Sequence, residues 1–279
     1  LIRIETPAAN QPERAFALDT ILSEWFGLQT TIAPTEGART TTIRLADEPG
    51  AVEVEESVLL LDHLDQVGTV EAPGPRWVEV GPRLSGAADL QAVPCPYGDC
   101  PQWATTVDDD KVTVHVDVLG TSFSLLGGLD ESTVTDFDTH GRIPLAETLV
   151  GRHDLRHRPT VDELAELLWK AMSTMWPRLR RSEREGGIRP THDIDRLYKY
   201  GHGLRDLPLA VASGFRRDGL SSGFRSMVES IGVRAGRRCD PYLTLDRIMD
   251  LAEEAGRISA FYFITRYQPA DGTALSRYS

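Results

Sequence analysis

The sequence predicts a mixed α/β protein in two parts, on three observations. Helical and strand signals alternate through the first half, a charged stretch closing on two glycines ("RLRRSEREGG", 178–187) marks a boundary, and strand, helix and strand signals follow it. The last order is that of a βα-type sheet or barrel. The expected domains are an N-terminal α/β domain over 1–180 and a second one over 187–279.

The elements follow from periodicity. "ERAFALDTILSEWFGL" carries Phe16, Ile21, Leu22, Trp25 and Phe26 near one helical stripe, and Gly27 ends it. "TTTIRLA", "SVLLLD" and "RWVEVG" read as short strands. In "KVTVHVDVLG" the valines 112, 114, 116 and 118 share one face, which puts Thr113, His115 and Asp117 on the wet face. Thr160 with Glu163 spells a capping box for a helix that starts near 161 and stops by Pro177, its Leu and Met stripe facing the core. Thr244 is placed to cap a further helix that Gly256 ends, and "RISAFYFIT" reads as a buried parallel strand.

Composition bounds the function. The chain of 279 residues is 41% hydrophobic, enough to fill a core. Its 42 acidic against 30 basic side chains give a net charge of -12, which argues against a nucleic-acid or anionic-membrane binder. The basic runs are short and lack interleaved aromatics, so a solvated linker is the reading for them. No apolar run approaches the roughly 20 residues of a membrane span. The N-terminus shows no export signal and the three cysteines suit a reducing compartment, pointing to the cytoplasm, although a chain beginning at Leu1 leaves a preceding segment open. Cys95 and Cys100 read as thiols of a loop, since no second ligand pair follows at zinc-finger spacing. His153 and His157 are four apart, but Pro159 disfavours the helix that would pair them on a metal.

The chemistry concentrates in "THDID", residues 191–195. On an extended backbone Asp193 and Asp195 point the same way, with α-carbons roughly 6–7 Å apart, while His192 and Ile194 point the other way. One carboxylate of such a pair can grip a cation while the other takes a proton. The plainer alternative is a turn cap and a salt bridge to Arg196 or Lys199.

"THDID" closing a strand, followed by a helix and then "SAFYFI", resembles the opening of a polysaccharide deacetylase domain of the NodB-homology, carbohydrate esterase type. "DTHGRIP" and "RPTVDELAELLWKAM" resemble an uncharacterised domain found in front of some bacterial deacetylase-like proteins. The resemblance implies a distorted (β/α) barrel beginning at about 187, of which this chain holds the first part. It also implies a hydrolase that removes N-acetyl groups from a carbohydrate with a divalent metal, Zn²⁺, in bacterial surface-glycan metabolism. Asp193 then matches the general base and Asp195 the metal ligand, displaced by one residue from the family's adjacent pair, with His192 a candidate to support that ligand from behind. The family's later H-[ST]-x-x-H segment has no counterpart between Asp195 and Ser279, so the chain is read as stopping before it. Two rivals stand beside this expectation: a glycosyltransferase using D-x-D with Mn²⁺ and a nucleotide sugar, and an inactive glycan-binding relative.

Overall fold

The computed structural model describes residues 1–84, 90–99, 101–183, 186–194, 197–200 and 220–263, the side chains of 220–224 and 226 excepted. It is a mixed α/β protein in two compact units, Leu1–Arg184 and Glu185–Ser279.

The first unit is built on a six-stranded mixed sheet of β1 (Ile2–Pro7), β2 (Thr30–Thr35), β3 (Thr40–Leu45), β4 (Ala51–Glu55), β7 (Thr105–Val107) and β8 (Lys111–Val114), in the order β2-β1-β3-β4-β8-β7. The β1–β2 and β4–β8 pairs are parallel and the others antiparallel. A small antiparallel pair, β5 (Trp77–Glu79) and β6 (Ala92–Pro94), forms a separate sheet. Alternation decides the faces. Ile2, Ile4, Ile43, Val52, Val54, Val112 and Val114 point inward, while Arg3, Glu5, Arg44 and Glu55 point to solvent. Helices α1 (Gln11–Leu18), α2 (Val118–Gly127), α3 (Leu149–Arg152) and α4 (Thr160–Met175) belong to the same unit. Leu164, Leu167, Leu168, Ala171 and Met172 of α4 close the core, as the stripe predicts. Trp176 is fully buried behind them and donates its indole N–H to the Pro49 carbonyl at 2.9 Å.

Several expectations need correction. The first helical stripe runs through Ala17, Leu18, Ile21, Leu22 and Phe26, while Phe16 is exposed and meets Phe123 edge-on. Arg14, Ala17, Leu18, Ile21 and Leu22 keep the 3.6-residue spacing and Phe16 falls off that stripe; a π-helix over Asp19–Trp25 directly continues α1, with Phe26 N–H donating to the Ile21 carbonyl five residues back, at 3.1 Å. "SVLLLD" is no strand, because Val58–Leu60 form a 3₁₀ turn. The reason is Asp117. Its carboxylate accepts the backbone N–H groups of Ser57 (2.9 Å) and Val58 (2.8 Å), tying down that turn, and that of Gly120 (2.8 Å), capping α2.

Asp117 therefore lies buried, not on the wet face, and the strand ends at Val114. Burial pushes its carboxyl up to about 6, against the pull of the backbone donors, and nearby Glu56 adds to the rise. A Cβ at Gly120 would stand 2.4 Å from an Asp117 oxygen and 2.7 Å from Val58 Cβ, so this capped turn requires glycine. The capping box at Thr160 does not form either. Pro159 occupies the N-cap, the Thr160 hydroxyl has no hydrogen-bond partner among the described residues, and Glu163 turns instead to Arg158 at 2.8 Å, a charge-assisted bond that outcompetes a backbone donor. Part of the expected linker is docked as well. Ser182 N–H donates to the Phe26 carbonyl at 2.8 Å, and the Arg181 guanidinium lies over the Phe26 and Trp169 rings and pairs with Glu166 at 2.6 Å.

The described part of the second unit comprises β9 (Thr191–Ile194), α5 (Leu220–Arg234), α6 (Leu245–Glu254) and β10 (Ala260–Phe263). The two strands pair in parallel, with both helices in the connection between them. Gly256, at φ +65°, follows the end of α6 as predicted. Thr244 is the N-cap residue of α6, but its hydroxyl makes no capping bond. Asp240 organises the turn before α6 by accepting the backbone N–H groups of Lys199, Tyr200 and Tyr242. β10 is parallel as expected but not buried: Tyr262 and Phe263 are 58% and 50% exposed.

Among the described residues the core lies in the first unit. Both hydrophobic clusters lie within the first, whereas Tyr200 and Ala252 are the buried apolar side chains described in the second, and Ile188, Leu251, Ile258 and Tyr262 are each more than half exposed there. A polypeptide of residues 1–183 is therefore expected to fold alone and unfold cooperatively in urea. A non-cooperative 1–183 polypeptide would contradict the placement of the core.

Candidate functional site

β9 presents its side chains as an extended strand should. Thr191 and Asp193 are exposed on one face, and His192 and Ile194 are half-buried on the other. The parallel register sets His192 beside Phe261 and Asp193 beside Tyr262. His192 stacks on the Phe261 ring at 5.0 Å between centroids with an interplanar angle of 28°, and its Nε2 is buried with no hydrogen-bond partner among the described residues. Its ring thus fixes the strand pair from the face opposite Asp193.

Asp193 has no hydrogen-bond or ion-pair partner among the described residues. Lys199, one of the two cations the plain reading offers, is committed elsewhere: its ammonium lies 3.8 Å from Glu229 and over the Tyr200 ring. Tyr200 in turn donates to Glu229 at 2.8 Å. Asp195, Arg196 and His202 lie outside the described residues. The sequence reading missed Tyr262. Register is what reveals it, because in a parallel pair about 4.8 Å apart the neighbours at one level share a face.

An exposed carboxylate such as that of Asp193 can supply a single hard oxygen ligand or accept a proton. Among the described residues no group of three or more His, Cys, Asp and Glu side chains gathers around it or elsewhere.

The first unit holds a second concentration of titratable groups, between α3 and the bridge that pairs Glu71 with Tyr97. Arg152 grips Glu71 with two parallel bonds of 2.7 and 2.8 Å, and His153 Nε2 lies 3.1 Å from the same carboxylate. A carboxylate only accepts, so the His153 proton sits on Nε2. Arg152 also approaches Asp130 at 3.9 Å, and Asp130 accepts the Leu149 backbone N–H. His153 is buried while His157 is exposed, and Asp154 between them adopts φ +53°, so the two imidazoles do not share a helical face. Cys95 is buried in the core with its thiol on the Tyr97 carbonyl, and Cys100 is outside the described residues.

Burial works to raise the Glu71 carboxyl, but the hydrogen bonds and charges of His153 and Arg152 outweigh it and hold it at about 2, below its ordinary 4.5. A depressed carboxylate stabilises the fold above its unfolded pKa and loses that contribution as pH falls toward the folded one. The stability difference between the native chain and Glu71→Gln is therefore expected to be present at pH 5 and to shrink steadily between about 4.5 and 2. Denaturant midpoints across that range check it. A difference that does not change with pH would show that the ion pair is not what Glu71 contributes.

The profile of a family described as a family of unknown function (DUF7033) matches residues 2–177, and the chain belongs to that family. The match falls wholly within the first unit. No curated protein and no solved structure matches the chain.

Proposed function

We propose that this protein is a metal-dependent hydrolase that removes N-acetyl groups from a carbohydrate, with Asp193 as its general base. The observation that carries the reading is the position of Asp193. It is exposed near the C-terminal end of β9, the strand is paired in parallel with β10 across a helical connection, and no cation among the described residues engages it. In α/β sheets and barrels that end of the strands is where reacting groups collect.

Asp193 would hold the metal jointly with Asp195 or accept the proton of the attacking water, and the resemblance at "THDID" assigns the proton to Asp193 and the metal to Asp195. A bound Zn²⁺ supplies Lewis-acid polarisation of the acetyl carbonyl. A base works only within hydrogen-bond reach of the proton it takes, so the backbone around Asp193 has to be held still. The stack of His192 on Phe261 does this from the opposite face. Tyr262 flanks the carboxylate on its own face and contributes an aromatic surface against which a sugar ring can lie.

Release of acetate from a tetramer of N-acetylglucosamine by the intact gene product tests the reading. Release that stops with a chelator and returns with Zn²⁺ is the expected result. No release at any metal loading, with tight Mn²⁺-dependent binding of a nucleotide sugar in its place, would overturn it in favour of a glycosyl transfer site.

A further inference from the structure

The six-stranded sheet ends in β7 on one side and in β2 on the other, and the two edges differ. β7 is three residues long and covered by its own chain: Gly81 packs against the Thr105 carbonyl and Arg83 donates to the Val107 carbonyl at 3.2 Å. β2 is six residues long and pairs with β1 alone among the described strands. Register decides which of its backbone groups are left over. Ile2 N–H donates to the Gln29 carbonyl at 2.9 Å and Ile2 pairs with Thr30, so Thr31, Ala33 and Thr35 turn their backbone toward β1. Thr30, Ile32 and Pro34 turn theirs outward. Proline agrees with that parity, since it sits in an edge strand where its missing N–H would face away from the sheet. The outward N–H groups of Thr30 and Ile32, and the outward carbonyls of all three residues, have no partner among the described residues. Solitary edges are commonly guarded by charged side chains. Residues 28–35 carry none, in a chain of which 26% is charged.

We propose that β2 pairs antiparallel with β2 of a second copy of this chain, about a two-fold axis through Ile32, so that the two sheets run on as one. The edge is self-complementary in that register, as a two-fold contact requires. Ile32 exchanges both of its backbone bonds with its own copy, and Thr30 N–H donates to the partner's Pro34 carbonyl at each end. The absent proline N–H leaves only the Thr30 carbonyl to water. On the inner face Ile32, half-buried against the core, meets its copy at the axis. On the outer face charge favours a second copy over an unrelated strand. Arg3 lies opposite Arg44, two exposed like charges at one level, and neither they nor Glu5 makes an ion pair among the described residues. Arg3 is level with Thr31 and Glu5 with Ala33, and all four are exposed. In the two-fold register Arg3 therefore shares a row with Thr31, the partner's Ala33 and the partner's Glu5. The two charged residues are then roughly 14 Å apart at their α-carbons, a span their long side chains close over residues as small as threonine and alanine. The relation repeats with the copies exchanged, so each copy supplies the acid that the other's arginine pair lacks.

Sedimentation equilibrium of the full chain from micromolar to millimolar concentration tests the pairing. The expected result is a reversible monomer–dimer equilibrium, since an edge-to-edge contact is small. Thr30→Pro removes an outward N–H and leaves the bonds to β1 in place, so it is expected to weaken the dimer about tenfold or more while the urea midpoint holds. Glu5→Arg sets like charges at both ends of the row and is expected to weaken the dimer about fivefold. The exchange variant Arg3→Glu/Glu5→Arg is expected to restore it. Should Thr30→Pro fail to fold, the Glu5→Arg loss and its rescue carry the test. A chain that stays monomeric through millimolar concentration overturns the proposal. So does a dimer that Thr30→Pro and Glu5→Arg leave intact, or one that Glu5→Arg weakens and the exchange variant does not recover.

Discussion

Glu56→Ala is expected to destabilise the first unit by about 3–5 kcal/mol, as the loss of one partner of a buried ion pair does. Arg14 and Glu56 have fully buried side chains and meet at 2.7 Å. The guanidinium is otherwise spent on the carbonyls of Pro7 (3.1 Å), Leu59 (2.9 Å) and Ala9, and Thr41 donates its hydroxyl to Glu56. Asn10, in the left-handed region at φ 47°, adds side-chain bonds to the Leu59 and Leu61 carbonyls. Together these bonds pin the β1–α1 corner to the end of β4. Alanine at 56 would strand a cation in the interior with no water to solvate it. Replacing both partners by methionine removes the charge as well as its counter-charge, so Arg14→Met/Glu56→Met is expected to be more stable than either single variant. Urea denaturation of the four proteins reads this coupling directly. A single-variant loss below about 1 kcal/mol, the range of an exposed pair, would show that water reaches the site.

Much of the fold was legible because it rests on local periodicity. The α4 stripe, the boundary in 178–187, the parallel strand over 260–263 and the stop at Gly256 all follow from patterns within a few residues. What escaped the sequence was long-range. Asp117 looked like a wet strand residue, yet its partners at Ser57 and Val58 lie about sixty positions away and bend an apolar run out of strand geometry. The sequence reading gave Arg14 no role, and only the fold brings Glu56 to it. The linker arginine Arg181 found aromatic faces that no run of charges announces.

The candidate site divides along the same line. Alternation alone predicted that Asp193 and His192 take opposite faces of β9, and they do. That His192 is spent on Phe261, and that Tyr262 is the neighbour of Asp193, required the register of two strands almost seventy residues apart in the chain.

Asp193→Asn is the substitution with the largest expected functional effect. It keeps the shape and exposure of the side chain while removing its ability to take a proton, and the loss of a general base costs roughly 10²–10⁴ in rate. Because Asp193 is exposed and makes no bond among the described residues that holds the fold, the urea midpoint is expected to stay unchanged. His192→Ala should act differently, loosening the strand pair and lowering stability together with rate. Acetate release by the intact protein, measured beside the Asp193→Asn variant at equal Zn²⁺ loading, is the most direct comparison. The account predicts a fall of at least about a hundredfold in turnover with folding intact, and turnover within a fewfold of the native protein would contradict it.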